Sequence, residues 1–374
     1  GGGGGAGAAA AAAAAMGEEE FLRVSRDLIV DKCRRIERGH RLDVNQQGWE
    51  GTLPKGTLKE WRQMHCIDRL AEAQIHGRPT ADCRDAAGHQ GWEGGSGAPA
   101  LPWVAVAVSA TTRNLDVGVL GLGGLALFSI LLPSLVQAAE CGFNYRVVLA
   151  YDYGDKFFDS KKGQQQTKEW FKQNAMIPLE DKGIKIELLF APVDNKVKKP
   201  GPAFTAMTKV AYDAGSEYIY RVNDDTQFME PFAALMSRAL QAMGPPYGVV
   251  GPRCHGQSTR ILTHDFTHRT HMEIFNQFYY PPQLSDWWMD DWVSRVYGRE
   301  RTAMASSGGK VFHHTGKHGS RYQVDMSHKK FLEGLIKEGH KKIVGYAEQK
   351  GLLSGKALQQ LRDDSLSGKS FKTI

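Results

Sequence analysis

The stretch Tyr218-Ile-Tyr-Arg-Val-Asn-Asp-Asp-Thr226 decides how this chain is read. Tyr218, Ile219, Tyr220 and Val222 are aromatic or β-branched, the types that suit a pleated, half-buried surface, and they run directly into Asn223, Asp224 and Asp225. An open α/β sheet binds ligands in crevices at the carboxyl ends of its strands, so a strand that ends in carboxylates is placed to deliver them there. Adjacent acids suit a hard divalent cation: Mg²⁺ and Mn²⁺ take oxygen ligands, and Mg²⁺ is typically held by a carboxylate or two together with a substrate's phosphates. The other reading of Asp224, Asp225 and Thr226 is a cap on a following helix, since all three types accept a bond from its orphan amides. The stretch alone leaves both open.

Upstream, Phe204, Met207, Thr208, Ala211 and Tyr212 share one face of a helix over Phe204–Ala214 that leaves Lys209 exposed. Before it come a strand over Ile184–Phe190 with Asp194 just beyond, a short helix over Lys168–Asn174, and a strand over Tyr145–Ala150 that ends in Tyr151-Asp152-Tyr153-Gly154-Asp155. Order begins at Trp103: Val104–Val108 is the short apolar run of a fully buried strand, and it empties into Ser109–Arg113, a polar loop with donors for an anion. Strands alternating with helices predict right-handed crossovers and a mainly parallel sheet. The uncharged run Val117–Ala139 is long enough to span a bilayer. Its glycines, Pro133 and the lack of a flanking basic cluster favour instead a glycine-rich loop over Asp116–Gly124 and a buried helix over Leu125–Glu140.

Downstream, Phe232, Leu235, Met236, Ala239, Leu240 and Met243 mark an amphipathic helix, stopped by Gly244-Pro245-Pro246. A strand over Tyr247–Gly251 and a polar loop over Arg253–Arg260 follow. The segment Thr263–His271 is dense in histidine but lacks the spacing of a closed zinc site. In Ser285-Asp-Trp-Trp-Met-Asp-Asp-Trp292, Ser285 or Asp286 can cap a helix on which Trp288, Trp292 and Val296 point into the core. Asp290 and Asp291 then lie near its positive end, which favours their ionised form. An ionised carboxylate there can take a proton from a hydroxyl, or serve only as a solvated dipole partner. Val311-Phe-His-His-Thr-Gly-Lys-His-Gly319 gathers imidazoles and a lysine among glycines that allow close approach to a ligand; a histidine-rich surface loop is its bland alternative.

The 374 residues carry a net charge of +6, mild for the length, which fits a small anionic substrate or a membrane surface; no basic and aromatic interleaving argues for nucleic acid. Cys33, Cys66, Cys83, Cys141 and Cys254 show no CxxC spacing and suggest neither a disulfide scaffold nor a zinc site. Residues 1–16 are a low-complexity Gly/Ala tract and 17–101 a partly helical, mostly irregular and poorly ordered region, in which Gln-Gly-Trp-Glu-Gly occurs at Gln47 and again at Gln90. A catalytic domain over 102–326 and a basic helical tail over 327–374 complete the layout.

The ordered set (buried strand, Asp at a strand end, strand with paired acids, Trp-rich Asp-Asp segment, late histidine) resembles the GT-A fold glycosyltransferases over roughly Trp103–Asp325. That resemblance implies an α/β, Rossmann-like mixed sheet flanked by helices, a nucleotide-diphospho-sugar donor and a Mn²⁺ or Mg²⁺ ion. The family's DxD motif falls on Asn223, Asp224 and Asp225, with Asn in place of the first Asp, so Asp225 is the more secure metal ligand, joined by Asp224 and by His313 or His314. The resemblance places Ser109, Thr111 and Arg113 near the nucleotide and Asp152 at its base or ribose. It makes Asp291 the base of an inverting transfer beside Asp290. Lys209, Lys317 or Arg253 would add charge on the leaving diphosphate, and Trp287, Trp288, Tyr279 and Tyr280 would offer faces to a carbohydrate or glycoprotein acceptor. Members work in the Golgi or endoplasmic reticulum lumen or membrane, so membrane association is left open beside a cytoplasmic alternative. A non-catalytic carbohydrate-binding member of the fold and a metal-dependent phosphohydrolase are the competing functions.

Overall fold

The computed structural model describes Cys83 and residues 100–255, 260–305, 308–315, 324–367 and 372–374. The early helix over Glu18–Ile36, the repeated pentapeptide, the rest of residues 1–99 apart from Cys83, and Lys317 lie outside these.

The strands are β1 Trp103–Ser109, β2 Asn144–Asp152, β3 Ile186–Val193, β4 Tyr218–Asn223, β5 Thr226–Phe228, β6 Val249–Gly251, β7 Cys254–His255, β8 Asp265–His268, β9 Thr302–Met304, β10 Val311–His313 and β11 Lys372–Thr373. The principal helices are α1 Leu132–Ala138, α2 Lys161–Phe171, α3 Pro200–Asp213, α4 Ala233–Met243, α5 Met289–Val296, α6 Lys329–Gln349 and α7 Gly355–Arg362. Eight strands form one sheet in the order β11-β9-β6-β8-β4-β1-β2-β3, while β5, β10 and β7 form a small second sheet. All neighbours in the large sheet are parallel except those of β8, which runs antiparallel to both β4 and β6. This is the mixed, mainly parallel α/β architecture that the alternation of strands and helices leads one to expect.

The composition of β1 explains how the layers form. Its five central residues are fully buried and alternate valine with alanine. Because successive side chains of a strand point to opposite faces, Val104, Val106 and Val108 pack into one core with Leu131, Leu135, Tyr220 and Phe232, while Ala105 and Ala107 face a second core with Phe204, Met207 and Ala211 of α3. Alanine on that side leaves α3 room to lie close to the sheet. The first core is covered by α1, α2 and α4, the second by α3, α5, α6 and α7.

The uncharged run Val117–Ala139 folds as a single helical turn at Val117–Leu120, then a wide-wound turn at Leu127–Leu131 continuous with α1, and it buries Leu127, Phe128, Ile130, Leu131, Leu135 and Val136. Among the described residues no helix is long and apolar enough to cross a membrane. The C-terminal segment contains α6 and α7, and the apolar face of α6 is used: Leu332, Ile336 and Ile343 are buried. At Gly339 a Cβ would stand 2.5 Å from Val296 Cγ2 and 3.1 Å from the Trp292 ring, so only glycine lets α6 approach α5 this closely. Cys83 and Cys141 are joined in a disulfide that cysteine spacing did not disclose, and Cys254 is buried outside that disulfide.

Two local expectations are corrected. No helix follows Asp224 and Asp225: β5 starts at Thr226, and α4 begins at Ala233 without a side-chain cap, so helix capping does not account for these acids. Neither Ser285 nor Asp286 caps α5, whose N-cap residue is Trp288; Asp286 is buried in an ion pair with Lys199 instead. The histidine-rich segment contains β8, an internal strand whose polar side chains are satisfied by buried bonds rather than by water.

The strongest of these bonds surround Arg221 on β4. Its side chain is buried and reaches Asp265 of β8 (Nε to Oδ1, 2.9 Å), Asp290 of α5 (2.7 Å), the Thr263 carbonyl (2.8 Å) and Tyr280 Oη (2.8 Å). Tyr280 in turn donates to Asp265 at 2.6 Å. Removing one partner of a buried ion pair leaves the other charge uncompensated, which costs about 3–5 kcal/mol. Arg221→Met should therefore lower the unfolding free energy by about that amount, read from the urea midpoint, and Arg221→Met with Asp265→Asn should recover part of it.

Candidate active site at the carboxyl end of the sheet

The order β3-β2-β1-β4 reverses between β1 and β4. At such a switch point the loops leaving the two strands part in opposite directions and open a crevice. β1 and β4 end together there, Ser109 beside Asn223. The crevice is a cleft of about 290 Å³ lined by Ser109, Thr111 and Arg113 after β1, Asp152 at the end of β2, Asn195, Lys198 and Lys199 after β3, Asn223, Asp224 and Asp225 at the end of β4, and His313 and Thr315 from β10. It adjoins a wider groove of about 1160 Å³ bordered by Lys156, Lys162 and Gln166. Of the residues that the sequence offers for a nucleotide and for a metal, Ser109, Thr111, Arg113, Asp152, Asn223, Asp224, Asp225 and His313 border one space, whereas Lys209, Arg253 and His314 do not line it and Lys317 lies outside the described residues.

On the β1–β2 side, Arg113 donates to Asp152 Oδ2 at 3.2 Å and the Asn195 amide donates to Asp152 Oδ1 at 2.9 Å. The loop after β1 is braced by Asp155, whose carboxylate accepts from the Thr112 N–H at 2.7 Å, from the hydroxyls of Thr111 and Thr112, and from the N–H groups of Phe157 and Phe158. Sequence reasoning stopped at Asp152 and missed both Asp155 and Asn195. For Asp155 a signal existed, since Asp after Gly154 is a residue type that binds backbone two or three positions on.

On the β4 side, pairing within the small sheet sets His313 opposite Thr226 and so beside the acids. His313 Nε2 lies 2.9 Å from Asp225 Oδ1 and 3.1 Å from the Asn223 amide nitrogen. Behind the turn, Thr226 Oγ1 accepts from the Asn223 N–H at 3.2 Å and meets His264 Nε2 at 2.6 Å, while His264 Nδ1 meets Thr263 Oγ1 at 3.1 Å. Burial, helped by His313 and Arg221, holds His264 well below the ordinary imidazole pKa. A neutral ring has one donor and one acceptor nitrogen, which is what this chain of bonds uses.

His314 does not join His313. It ends next to the strand with its neighbour's side chain pointing the other way; its Nε2 meets Gln227 Oε1 at 2.8 Å and its ring packs edge-on against Phe312. Lys209 lies on the outer face of α3 and pairs with Asp213 one turn on. Tyr279 and Tyr280 are buried against Asp265 and Thr267, so neither has a face to offer an acceptor. Trp292 is core, whereas Trp287 is 47 % exposed and Trp288 donates its ring N–H to the Met326 carbonyl at 2.9 Å.

The acids of α5 have different surroundings. Asp290 turns to Arg221, and Asp291 feels Arg295 and Lys329. Burial raises both carboxyls above the ordinary range; Asp290 is pushed up to about 6 because burial and the neighbouring Asp265 outweigh the pull of Arg221. Among the described residues no group of three or more His, Cys, Asp or Glu side chains gathers as a full metal shell. What the fold does assemble is one carboxylate, one imidazole and one amide.

The raised Asp290 carboxyl has a consequence for stability. Below pH about 4 the group is neutral in the folded and unfolded chains alike; between there and pH about 6 the unfolded chain releases a proton that the folded chain keeps. Asp290 therefore makes stability fall as pH rises through that window and adds no further slope above it. In Asp290→Asn that fall should vanish, measured as the difference between wild-type and variant urea-unfolding free energies at pH 4, 5, 6 and 7.

No family model and no curated protein matches this chain. Among solved structures it is similar to S. aureus TarS. The TarS 1-349 crystal structure in complex with UDP matches at 12% identity and a TM-score of 0.37, over 68% of this chain and 72% of that one. The same protein in complex with UDP-GlcNAc matches at 15% identity and a TM-score of 0.36, over 64% of this chain and 66% of that one.

Proposed function

We propose that this chain is a glycosyltransferase that moves a sugar from a nucleoside diphosphate to an acceptor hydroxyl. The observation that carries the reading is the single cleft at the switch point, where Arg113 and Asp152 face Asn223, Asp225 and His313. A nucleotide sugar needs polar partners for the nucleoside at one end and charge compensation for the diphosphate at the other. The two walls of the cleft supply those separately.

Asp225 and His313, with the Asn223 amide, would hold Mn²⁺ or Mg²⁺ together with the diphosphate oxygens. Imidazole nitrogen beside carboxylate oxygen lies within the ligand range of Mn²⁺, and sharing the shell with phosphates suits a site that offers few protein ligands. The cation supplies Lewis acidity on the leaving oxygens. The acceptor hydroxyl gives its proton to a carboxylate while its oxygen bonds to the anomeric carbon, and the sugar–phosphate bond breaks with its electron pair on the diphosphate. We assign the proton to Asp291. The carboxylate of Asp290 is engaged by buried Arg221, which fixes the first turn of α5 and leaves Asp291 as the remaining base. Trp287 offers an exposed aromatic face to the acceptor. The Cys83–Cys141 disulfide supports an oxidising compartment such as the Golgi or endoplasmic reticulum lumen.

Asp225→Asn is expected to abolish the metal dependence of nucleotide binding, titrated by calorimetry over UDP, GDP and CDP with and without Mn²⁺, while the melting temperature stays near wild type. Equal titrations with and without Mn²⁺ in the wild-type chain would defeat the metal assignment.

Asp291→Asn should lower kcat by roughly 10²-fold or more at saturating donor and acceptor, the usual scale for a positioned base, with donor affinity unchanged. Because burial raises the Asp291 carboxyl, the acid limb of kcat/KM should lie above the ordinary aspartate range, activity being lost as pH falls and the base takes up its proton. Turnover within a few-fold of wild type would remove Asp291 from the mechanism. Phosphate release from simple esters, indifferent to added acceptors, would point to a hydrolase.

A further inference from the structure

The wall of the cleft contributed by the loop after β3 holds a charge pair that the reaction as described does not use. Lys199 lines the cleft with its side chain 20% exposed, and its Nζ lies 3.1 Å from Asp286 Oδ2. The Asp286 side chain is fully buried. Its Oδ2 also accepts the Asp325 N–H at 2.7 Å, and among the described residues its Oδ1 has no hydrogen-bond partner. A carboxylate taken out of water with an oxygen left unsatisfied is a costly arrangement, and a buried ion pair is by itself weak evidence of stability. Such a pair makes physical sense where the carboxylate fixes a cation that has a second task.

The surroundings hold Lys199 at that place. The Asn195 amide donates to the Lys199 carbonyl at 2.8 Å as well as to Asp152 Oδ1 at 2.9 Å, so the same side chain ties Lys199 to the nucleoside end of the cleft. The next turn is pinned to the segment that carries Asp286: the Gly201 N–H donates to the Ser285 carbonyl at 2.9 Å, and a Cβ on Gly201 would stand 2.8 Å from Ser285 Cα. Asp224 and Asp225, at the end of β4 and separated from β3 by β2 and β1, line the same cleft as Lys199.

We infer that Lys199 is a second cationic contact for the diphosphate, facing it from the side opposite the acids of β4, and that Asp286 is the residue that positions it. The inference rests on the nucleotide-sugar reading and adds a protein charge to it that was sought elsewhere, at Lys209, Lys317 and Arg253. It assigns the β3–α3 loop to the phosphates and predicts that selectivity for a diphosphate over a monophosphate depends on Lys199.

Calorimetric titration of the full chain with inorganic pyrophosphate and with orthophosphate, both with Mg²⁺, tests this without knowledge of the base. The wild-type chain should prefer pyrophosphate. Lys199→Met should weaken pyrophosphate binding by about 10- to 100-fold, the scale of one charge-assisted hydrogen bond, and Lys199→Arg should restore much of it. Asp286→Asn should weaken it less and in the same direction, with orthophosphate affected less than pyrophosphate in each variant. A strut between two loops would behave otherwise: Lys199→Met and Asp286→Asn would lower the melting temperature and leave pyrophosphate affinity at the wild-type value, which would overturn the inference. Failure of the wild-type chain to bind pyrophosphate would also overturn it, and binding of UDP, GDP or CDP in the same cell would then leave the nucleotide-sugar reading standing.

Discussion

One buried guanidinium sets the relation between the two acidic segments of this protein. Arg221 is an internal residue of β4, two positions before Asn223, and it faces the core that α3 and α5 cover. Taking that charge out of water would be strongly unfavourable without compensation, and the compensation comes from β8, from the residues before α5 and from α5 itself, through Asp265, Tyr280 and Asp290. Each of these partners is thereby fixed relative to the strand that ends in Asp224 and Asp225. Hydrophobic side chains of the same volume would fill the space at less electrostatic cost. They would not fix the angle at which α5 begins, because apolar contacts are non-directional whereas five bonds on one planar group are not.

The same cluster explains why Asp290 and Asp291, adjacent in sequence, are different groups chemically. Two carboxylates, Asp265 and Asp290, share a single Arg221, and the fully buried one takes the larger share of the cation. Asp290 is left with a carboxyl pushed up to about 6. Asp291, about 100° further round the helix, answers to Arg295 and Lys329. Which of the two acids is held by Arg221 follows from which side of a helical turn meets the sheet.

Much of this was legible in the sequence, and the parts that were not share a cause. β1, β2 and β4 could be read because burial on both faces demands continuous apolar residues, and the loops and acids at their carboxyl ends could be placed in one site because sheet topology brings those ends together. β8 could not be read, because Asp265 and Thr267 are polar residues whose partners, Arg221 and Tyr279, lie 44 and 12 positions away. Tyr279 and Tyr280 looked like candidates for an acceptor platform for the same reason: nothing local shows that Asp265 and Thr267 claim their hydroxyls. His313 and His314 are equivalent in a string of letters. Only the pairing of His313 with Thr226 in the small sheet turns one imidazole toward Asp225 and the other toward Gln227. Asp286 looked like a helix cap and is instead buried against Lys199, a residue 87 positions away.

The distribution of charge around the cleft bears on what can bind there. Arg113, Lys198 and Lys199 come from the loops after β1 and β3, whereas Asp224 and Asp225 come from β4 across the crevice. Arg113 is engaged by Asp152 and Lys199 by Asp286, so neither wall is strongly cationic. An anionic ligand drawn to the lysine side would meet two carboxylates on the other, and at short range in a partly water-excluded space that repulsion would be large. On the proposed reading, a diphosphate in this cleft would need a cation to offset that repulsion. The metal assignment proposed for Asp225 and His313 is thus the part of that reading that the charge distribution of the cleft bears on most directly.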